Sequence, residues 1–475
     1  MKPAGILALL VLAAALAPPA SLLAAPAAGG TQPAGPAPAT VVRLVTLKNG
    51  MQLLLAPDSS ATATDVAVWY RAGTKHEHAG ITGISHLFEH MMFDGSAHYG
   101  PQEHSRLVQA EGGTANAYTA PDYACYYETI PPAALELVFR LEADRIASLK
   151  LGSGALDAEK RMVREEKRWR ADSGPAGRAL QRLYRLAWAT HPYRWPLVGL
   201  DEDLDHITLA DCQQYFEDHY APNNALVTVV GDFDPELALK AAQRWLEPLT
   251  RRRVMDDAPA LEPTQTGERR RSEPSELPFA QLVVGWKTPG RPDPDAAELG
   301  LLAHLLVGGP DSRLQRALVA GTPPQCLLVQ GTLDGRRDGG LLYAVATLRP
   351  GADSLGVENA LFGEAQRLVE EPVSADELDR ARRQEELATL QAWQTAHGRA
   401  EALGISQLLD GDYRAAARRL ERLRQITPDD LRRVAARVFA QRNRNVVWMV
   451  PTNPPPSAAP AAPGPDGGAR PEGGR

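Results

Sequence analysis

Two apolar runs that predict strands, VAVWYRAG (Val66 to Gly73) and LVVGWKTP (Leu282 to Pro289), fall on one another without a gap at a constant offset of 216 residues. Each runs on into an apolar helix, and under the same offset Gly95-Ser96 falls on Asp311-Ser312. A second matching pair lies farther along each copy, ITLADCQQYFEDHYAPNNALVTVVG (Ile207 to Gly231) and ITPDDLRRVAARVFAQRNRNVVWMVP (Ile426 to Pro451). Both predict a capped amphipathic helix, a short polar turn and a β-branched strand. The chain is an internal duplication. Its expected fold class is α+β, with two homologous mixed α/β lobes.

The remaining segments set the boundaries. Lys2 precedes the apolar ILALLVLAAALA (Ile6 to Ala17), and Ala25-Pro26-Ala27 puts small residues at the two positions a signal peptidase reads, so residues 1–27 read as a signal peptide. The Pro/Ala/Gly-rich segments 28–40 and 451–475 bury too little apolar surface to fold and read as disordered. A charged, Pro-containing linker over 248–275 separates a lobe at 41–247 from a second at 276–450. The apolar run near the N-terminus is too short for a membrane span and no other long uncharged stretch exists. The expected location is therefore periplasmic or secreted, with no membrane span after signal cleavage.

Composition narrows the function classes. The 475 residues, 44% of them hydrophobic, suffice for two or three domains with sizeable cores. A formal charge of -7 gives no general attraction to nucleic acid. The basic runs Arg251 to Arg253 and Arg269 to Arg271 read as solvated linker. Cys125, Cys212 and Cys326 are odd in number and widely spread, so no disulfide framework is encoded; one bridge or three buried thiols both remain open.

The duplication also exposes the candidate chemistry. In GISHLFEHMMFDGS (residues 83 to 96), His86, Glu89 and His90 fall on Leu302, Leu305 and Leu306 of the second copy. Polar groups on a face that the fold fills with leucine cost several kcal/mol unless something compensates, and a metal would. Residues four apart share a helix face, so His86 and His90 can present nitrogens to one ion. Two imidazoles suit zinc, which then needs a third ligand from elsewhere. DAEKRMVREEKRW (Asp157 to Trp169) puts Glu159 and Glu166 seven apart on one helix face, Glu166 as the third ligand and Glu159 in support of a ligand. Glu165 is the local rival but points away from the Glu159 face. Of the other histidines, His191 reads as organising a loop, His98 and His104 as solvated in a polar turn, and the His76-Glu77-His78 cluster as a surface loop between Gly73 and Gly80.

H-x-x-E-H is the inverzincin signature. Together with GGTANAYT (112 to 119), EKRMVREE (159 to 166) and HPYRWPLVG (191 to 199), it makes the chain resemble the M16 (pitrilysin-type) metallopeptidase family, in its short bacterial and mitochondrial-processing-like branch, over about Val42 to Val450. The resemblance implies a clam-shell of two lobes and one Zn2+ per chain held by His86, His90 and Glu166; 75 residues lie between His90 and Glu166, in keeping with the family spacing. It implies Glu89 as the base in hydrolysis of peptides or unfolded segments, and places Asn116 and Ala117 against a bound peptide added as a strand to a sheet edge. The chain departs from the family in its second copy. After SRLQR, Val319 and Cys326 stand where relatives carry an Arg and a Tyr that contact the substrate carbonyl. The resemblance therefore makes this the zinc-bearing member of a pair, with a related M16-like subunit supplying the Arg/Tyr pair. The alternative is a non-catalytic peptide-binding or assembly subunit, for which Glu89 beside the metal would have no use.

Overall fold

The computed structural model describes residues 41–172, 175–255 and 261–453; the expected signal peptide, the segment 28–40 and the tail after residue 453 lie outside them. The first copy comprises β1 (Arg43–Thr46), β2 (Gln52–Pro57), β3 (Thr64–Tyr70), α1 (Ile84–Met91), α2 (Glu103–Ala110), β4 (Thr114–Thr119), β5 (Ala124–Ile130), α3 (Leu135–Ser148), α4 (Ser153–Asp172), α5 (Pro175–Ala187), α6 (Asp201–His206), α7 (Leu209–His219), β6 (Ala225–Gly231) and α8 (Pro235–Trp245). The second comprises β7 (Arg269–Ser275), β8 (Gln281–Thr288), α9 (Ala296–Val307), β9 (Cys326–Gly335), β10 (Gly340–Leu348), α10 (Ser354–Glu370), α11 (Ala375–Ala392), α12 (Ala396–Ile405), α13 (Ala415–Leu423), α14 (Pro428–Val438) and β11 (Arg444–Pro451).

The two sheets repeat one plan. The first has the order β1-β2-β6-β3-β5-β4 and the second β7-β11-β8-β10-β9. In each, the last strand runs parallel to an early one, β6 to β2 and β11 to β7, while the remaining neighbours are antiparallel. The offset read from the sequence lays β3 on β8, the middle strand of each plan, and their burial on both faces explains their apolar runs. The closing helices also match: α7 starts at a capping box of Thr208 and Asp211, and α14 at one of Thr427 and Asp430.

The chain divides into two compact units whose boundaries differ from the contiguous lobes expected. One unit runs up to Lys160, resumes from Glu202 through the rest of the first copy, and takes in Thr395–Gly404; the other takes Arg161–Asp201 with most of the second copy. Packing gives the reason. Ala176, Ala179, Leu183 and Ala187 of α5 bury their apolar face against Val283, Leu341, Val345 and Val447 of the second sheet. In the first unit, α12 lies on β3 and β4. His397 Nδ1 bonds Asp65 Oδ2 at 3.1 Å and Tyr118 Oη donates to Glu401 Oε1 at 2.9 Å. Gly404 fits there because a Cβ would come within 2.5 Å of the Trp69 indole.

Two further boundaries move. β7 occupies the last seven residues of the segment read as linker, where Arg270 forms a two-pronged pair with Glu358 and Arg269 Nη1 donates to the carbonyls of Leu186 and Ala187. These arginines anchor a strand instead of decorating a loop. Pro451, expected to open the tail, closes β11. No helix among the described residues is long and apolar enough to cross a membrane.

Candidate metal centre

α1 buries Ile84, Leu87, Phe88 and Met91, which fixes the helix in the first unit and turns its other face toward α4. Its second-copy counterparts Leu302, Leu305 and Leu306 are all core residues of α9. At the same positions His86 is 1% exposed, while His90 and Glu89 keep 18% and 14% of their side-chain surface. Ligand atoms of His86, His90 and Glu166 lie within 4.8 Å of one another. α4 is a continuous helix, and two turns before Glu166 its Glu159 accepts from His90 Nδ1 at 3.0 Å. Glu165 is 71% exposed and pairs with Arg168.

Glu89 sits inside this group. Its Oε2 accepts from His86 Nδ1 at 3.2 Å and from the Thr119 hydroxyl at 2.8 Å. Burial pushes its carboxyl up, but the His86 hydrogen bond, the charges of His86 and His90 and the Thr119 hydrogen bond outweigh it and hold the group below the ordinary carboxylate range. It is therefore a carboxylate near neutral pH, ready to accept a proton. Thr119 ends β4 and also reaches the Ser85 carbonyl at 3.4 Å, so it ties that strand to α1.

β4 pairs only with β5 and is the outer strand of its sheet. Asn116 and Ala117 lie on it; Asn116 Oδ1 accepts from the Ala117 N–H at 2.9 Å, and Ala117 is buried at 5% exposure.

A second group, His104, Glu128 and Glu142, also meets within 4.8 Å, and here the sequence reading of a solvated His104 is overturned. His104 is buried on α2 and its Nε2 donates to Glu128 at 2.8 Å. Burial and the neighbouring Arg145 push its pKa down to about 3, so the imidazole is neutral. Burial also raises both glutamates. Arg145 pairs closely with Glu142 and lies 4.6 Å over the Tyr126 ring. The Arg145 guanidinium already supplies positive charge to both carboxyls and opposes a dication beside it, so this group reads as a polar core.

The other histidines separate cleanly. His98 is exposed and bonds Asp144, whereas His191 is buried, accepts the Tyr193 N–H at 3.1 Å and has its ring 4.0 Å from the Tyr193 ring, tilted at 44°. The expected surface loop is corrected: His78 is exposed and His76 half-buried, but Glu77 is buried against the start of α1. Cys326 is buried in the core of the second copy, and Val319 packs partly buried against that core. All three cysteines are free and buried. From sequence Glu77 is named only within that loop cluster and Thr119 not at all, although Thr119 closes the GGTANAYT stretch just before Ala120-Pro121.

Residues 53–200 match the family described as Insulinase (Peptidase family M16), and residues 206–385 the one described as Peptidase M16 inactive domain. The zinc protease PqqE of Helicobacter pylori is 32% identical over 58% of this chain; the match spans 63% of that relative, less than two thirds of its length. The uncharacterized zinc protease YmxG of Bacillus subtilis is 22% identical over 84% of this chain and 96% of its own. A crystal structure of a protease from Helicobacter pylori superposes with a TM-score of 0.81 and 26% identity, covering 87% of this chain and 100% of that one. With both halves matched in order, and the H-x-x-E-H helix lying in the first, the chain belongs to peptidase family M16.

Proposed function

We propose that this chain is an exported zinc-dependent endopeptidase that hydrolyses peptides or unfolded segments, working in the periplasm or outside the cell. The observation that carries the reading is the convergence of His86, His90 and Glu166 within 4.8 Å, with the Glu89 carboxylate beside them. Two imidazoles and one carboxylate form the donor set of a catalytic zinc site, which keeps a position open for water. Engagement of His90 Nδ1 by Glu159 supports Nε2 as the atom that would ligate, with the carboxylate orienting the ring. A bound zinc supplies Lewis acidity and makes a water acidic enough to be deprotonated near neutral pH.

The chain's own residues do the rest. Glu89 accepts the water's proton as the oxygen attacks the scissile carbonyl, then delivers it to the leaving amine. Thr119 and His86 hold Glu89 in place through hydrogen bonds. The open side of β4 offers main-chain donors and acceptors to an extended peptide, with Asn116 and Ala117 alongside. The test is cleavage of an unstructured peptide by Glu89→Gln. It should retain zinc and fold while turnover falls by several orders of magnitude; activity within tenfold of the parent would remove Glu89 from the mechanism.

One observation favours a second reading. Cys326 is buried in the core and Val319 packs partly buried against it, and neither side chain is a cationic or phenolic contact for the substrate carbonyl. The chain would then either depend on a related M16-like subunit for those groups or act as a non-catalytic peptide-binding or assembly subunit.

A further inference from the structure

α1 starts without a cap of its own. Its N-cap residue is Gly83, in the left-handed region at φ 92°, and glycine has no side chain to accept a hydrogen bond from the first turn. The acceptors come from six residues upstream. Glu77 Oε2 accepts the Gly83 N–H at 2.8 Å, and Glu77 Oε1 accepts the Ser85 N–H at 3.0 Å. Glu77 is 3% exposed, and burying a carboxylate is costly unless it is well bonded. Two backbone donors at the positive end of a helix offset part of that cost, and burial still pushes the carboxyl up to about 7.

The neighbours fix the same turn. Thr82 N–H and Oγ1 both donate to Asp203 Oδ2, at 3.2 and 2.6 Å, and Ser85 Oγ bonds Tyr215 Oη at 2.8 Å. The next residue along α1 is His86. Because α1 has only eight residues, the direction of its first turn decides where the His86 imidazole stands relative to His90 one turn later. A frayed start would displace His86 while leaving His90, which Glu159 holds from α4, in place.

We propose that Glu77 is a positioning residue for the metal site: it touches no ligand atom, but by capping α1 from outside it holds His86 where His90 and Glu166 can share an ion with it. This inference rests on the reading of His86, His90 and Glu166 as zinc ligands. Glu77→Gln keeps the side chain's shape but replaces one acceptor by a donor, so it sets an N–H against a backbone N–H. Glu77→Asp keeps the carboxyl but is one methylene too short to reach both donors.

The test uses the full chain stripped of metal and titrated with Co2+, whose visible absorption reports ligand geometry directly. The parent should bind one Co2+ with a saturable spectrum. Both Glu77 variants should bind about 10- to 100-fold more weakly, as expected for loss of a group that orients a ligand, with shifted bands and an unchanged KM for a peptide substrate in the zinc-loaded form. Glu77→Asp is the milder change and keeps the test decisive where Glu77→Gln does not fold. A parent that binds no Co2+ would overturn the ligand reading itself. A parent that binds it, with variants of the same affinity and spectrum, would overturn the positioning role alone.

Discussion

Thr119 shows how one hydroxyl couples a strand to the chemistry. Its 2.8 Å hydrogen bond to Glu89 is made to an ionised acceptor, and such a bond contributes about 1.5 kcal/mol or more. Thr119→Val should therefore lower kcat by roughly tenfold with zinc content unchanged; a kcat within twofold of the parent would mean that Glu89 is held by other contacts. His86, Glu89 and His90 were legible in the sequence because the duplication supplies a reference in which the same positions are leucine. Glu159 and Glu166 were legible because seven residues on a helix return to one face. Glu77 was not, because a carboxylate flanked by histidines and glycines looks solvated until the backbone donors of Gly83 and Ser85 are in place around it. His104 failed as a solvated residue for a similar reason: its partners Glu128 and Glu142 come from β5 and α3, and no local pattern announces them.

At the level of elements, the strand order and the paired capping boxes follow from the repeat, whereas the assignment of α5 and α12 to units does not. Periodicity marks α5 as amphipathic, but it cannot say which sheet its alanines and leucines will cover. The capping boxes at Thr208 and Thr427 are equivalent in design, so Thr208→Ala and Thr427→Ala should each cost about 1 kcal/mol in chemical unfolding, without altering metal binding. α12 is held in the first unit by a titratable contact. Burial pulls His397 down, but the hydrogen bond and charge of Asp65, with the charge of Glu401, outweigh it and raise its pKa. A raised histidine pKa contributes stability that is fully present below the unfolded value near 6.5 and is lost as pH rises through the folded value. Amide exchange in α12, corrected for intrinsic rates, should therefore quicken as pH passes above that value in the parent and show no such step in His397→Asn. A step that survives the substitution would place the titration on another group.

For the whole molecule, the first copy holds the candidate zinc site, and the second holds apolar or thiol side chains, Val319 and Cys326, packed in or against its core. Preorganised donors at a developing oxyanion are each worth about 10²- to 10³-fold, so the purified chain should cleave unstructured peptides slowly and gain at least that factor when a related subunit carrying the Arg/Tyr pair is added. Full activity from a strict monomer would contradict this and point to other groups in the second copy. Beneath all of these outcomes lies the claim that His86, His90 and Glu166 hold one zinc. Its most direct test is metal analysis of the purified parent beside Glu166→Gln and Glu165→Gln. The account predicts about one zinc per chain in the parent and in Glu165→Gln, whose carboxylate faces solvent beside Arg168, and little or none in Glu166→Gln; zinc retained in full by Glu166→Gln would contradict it.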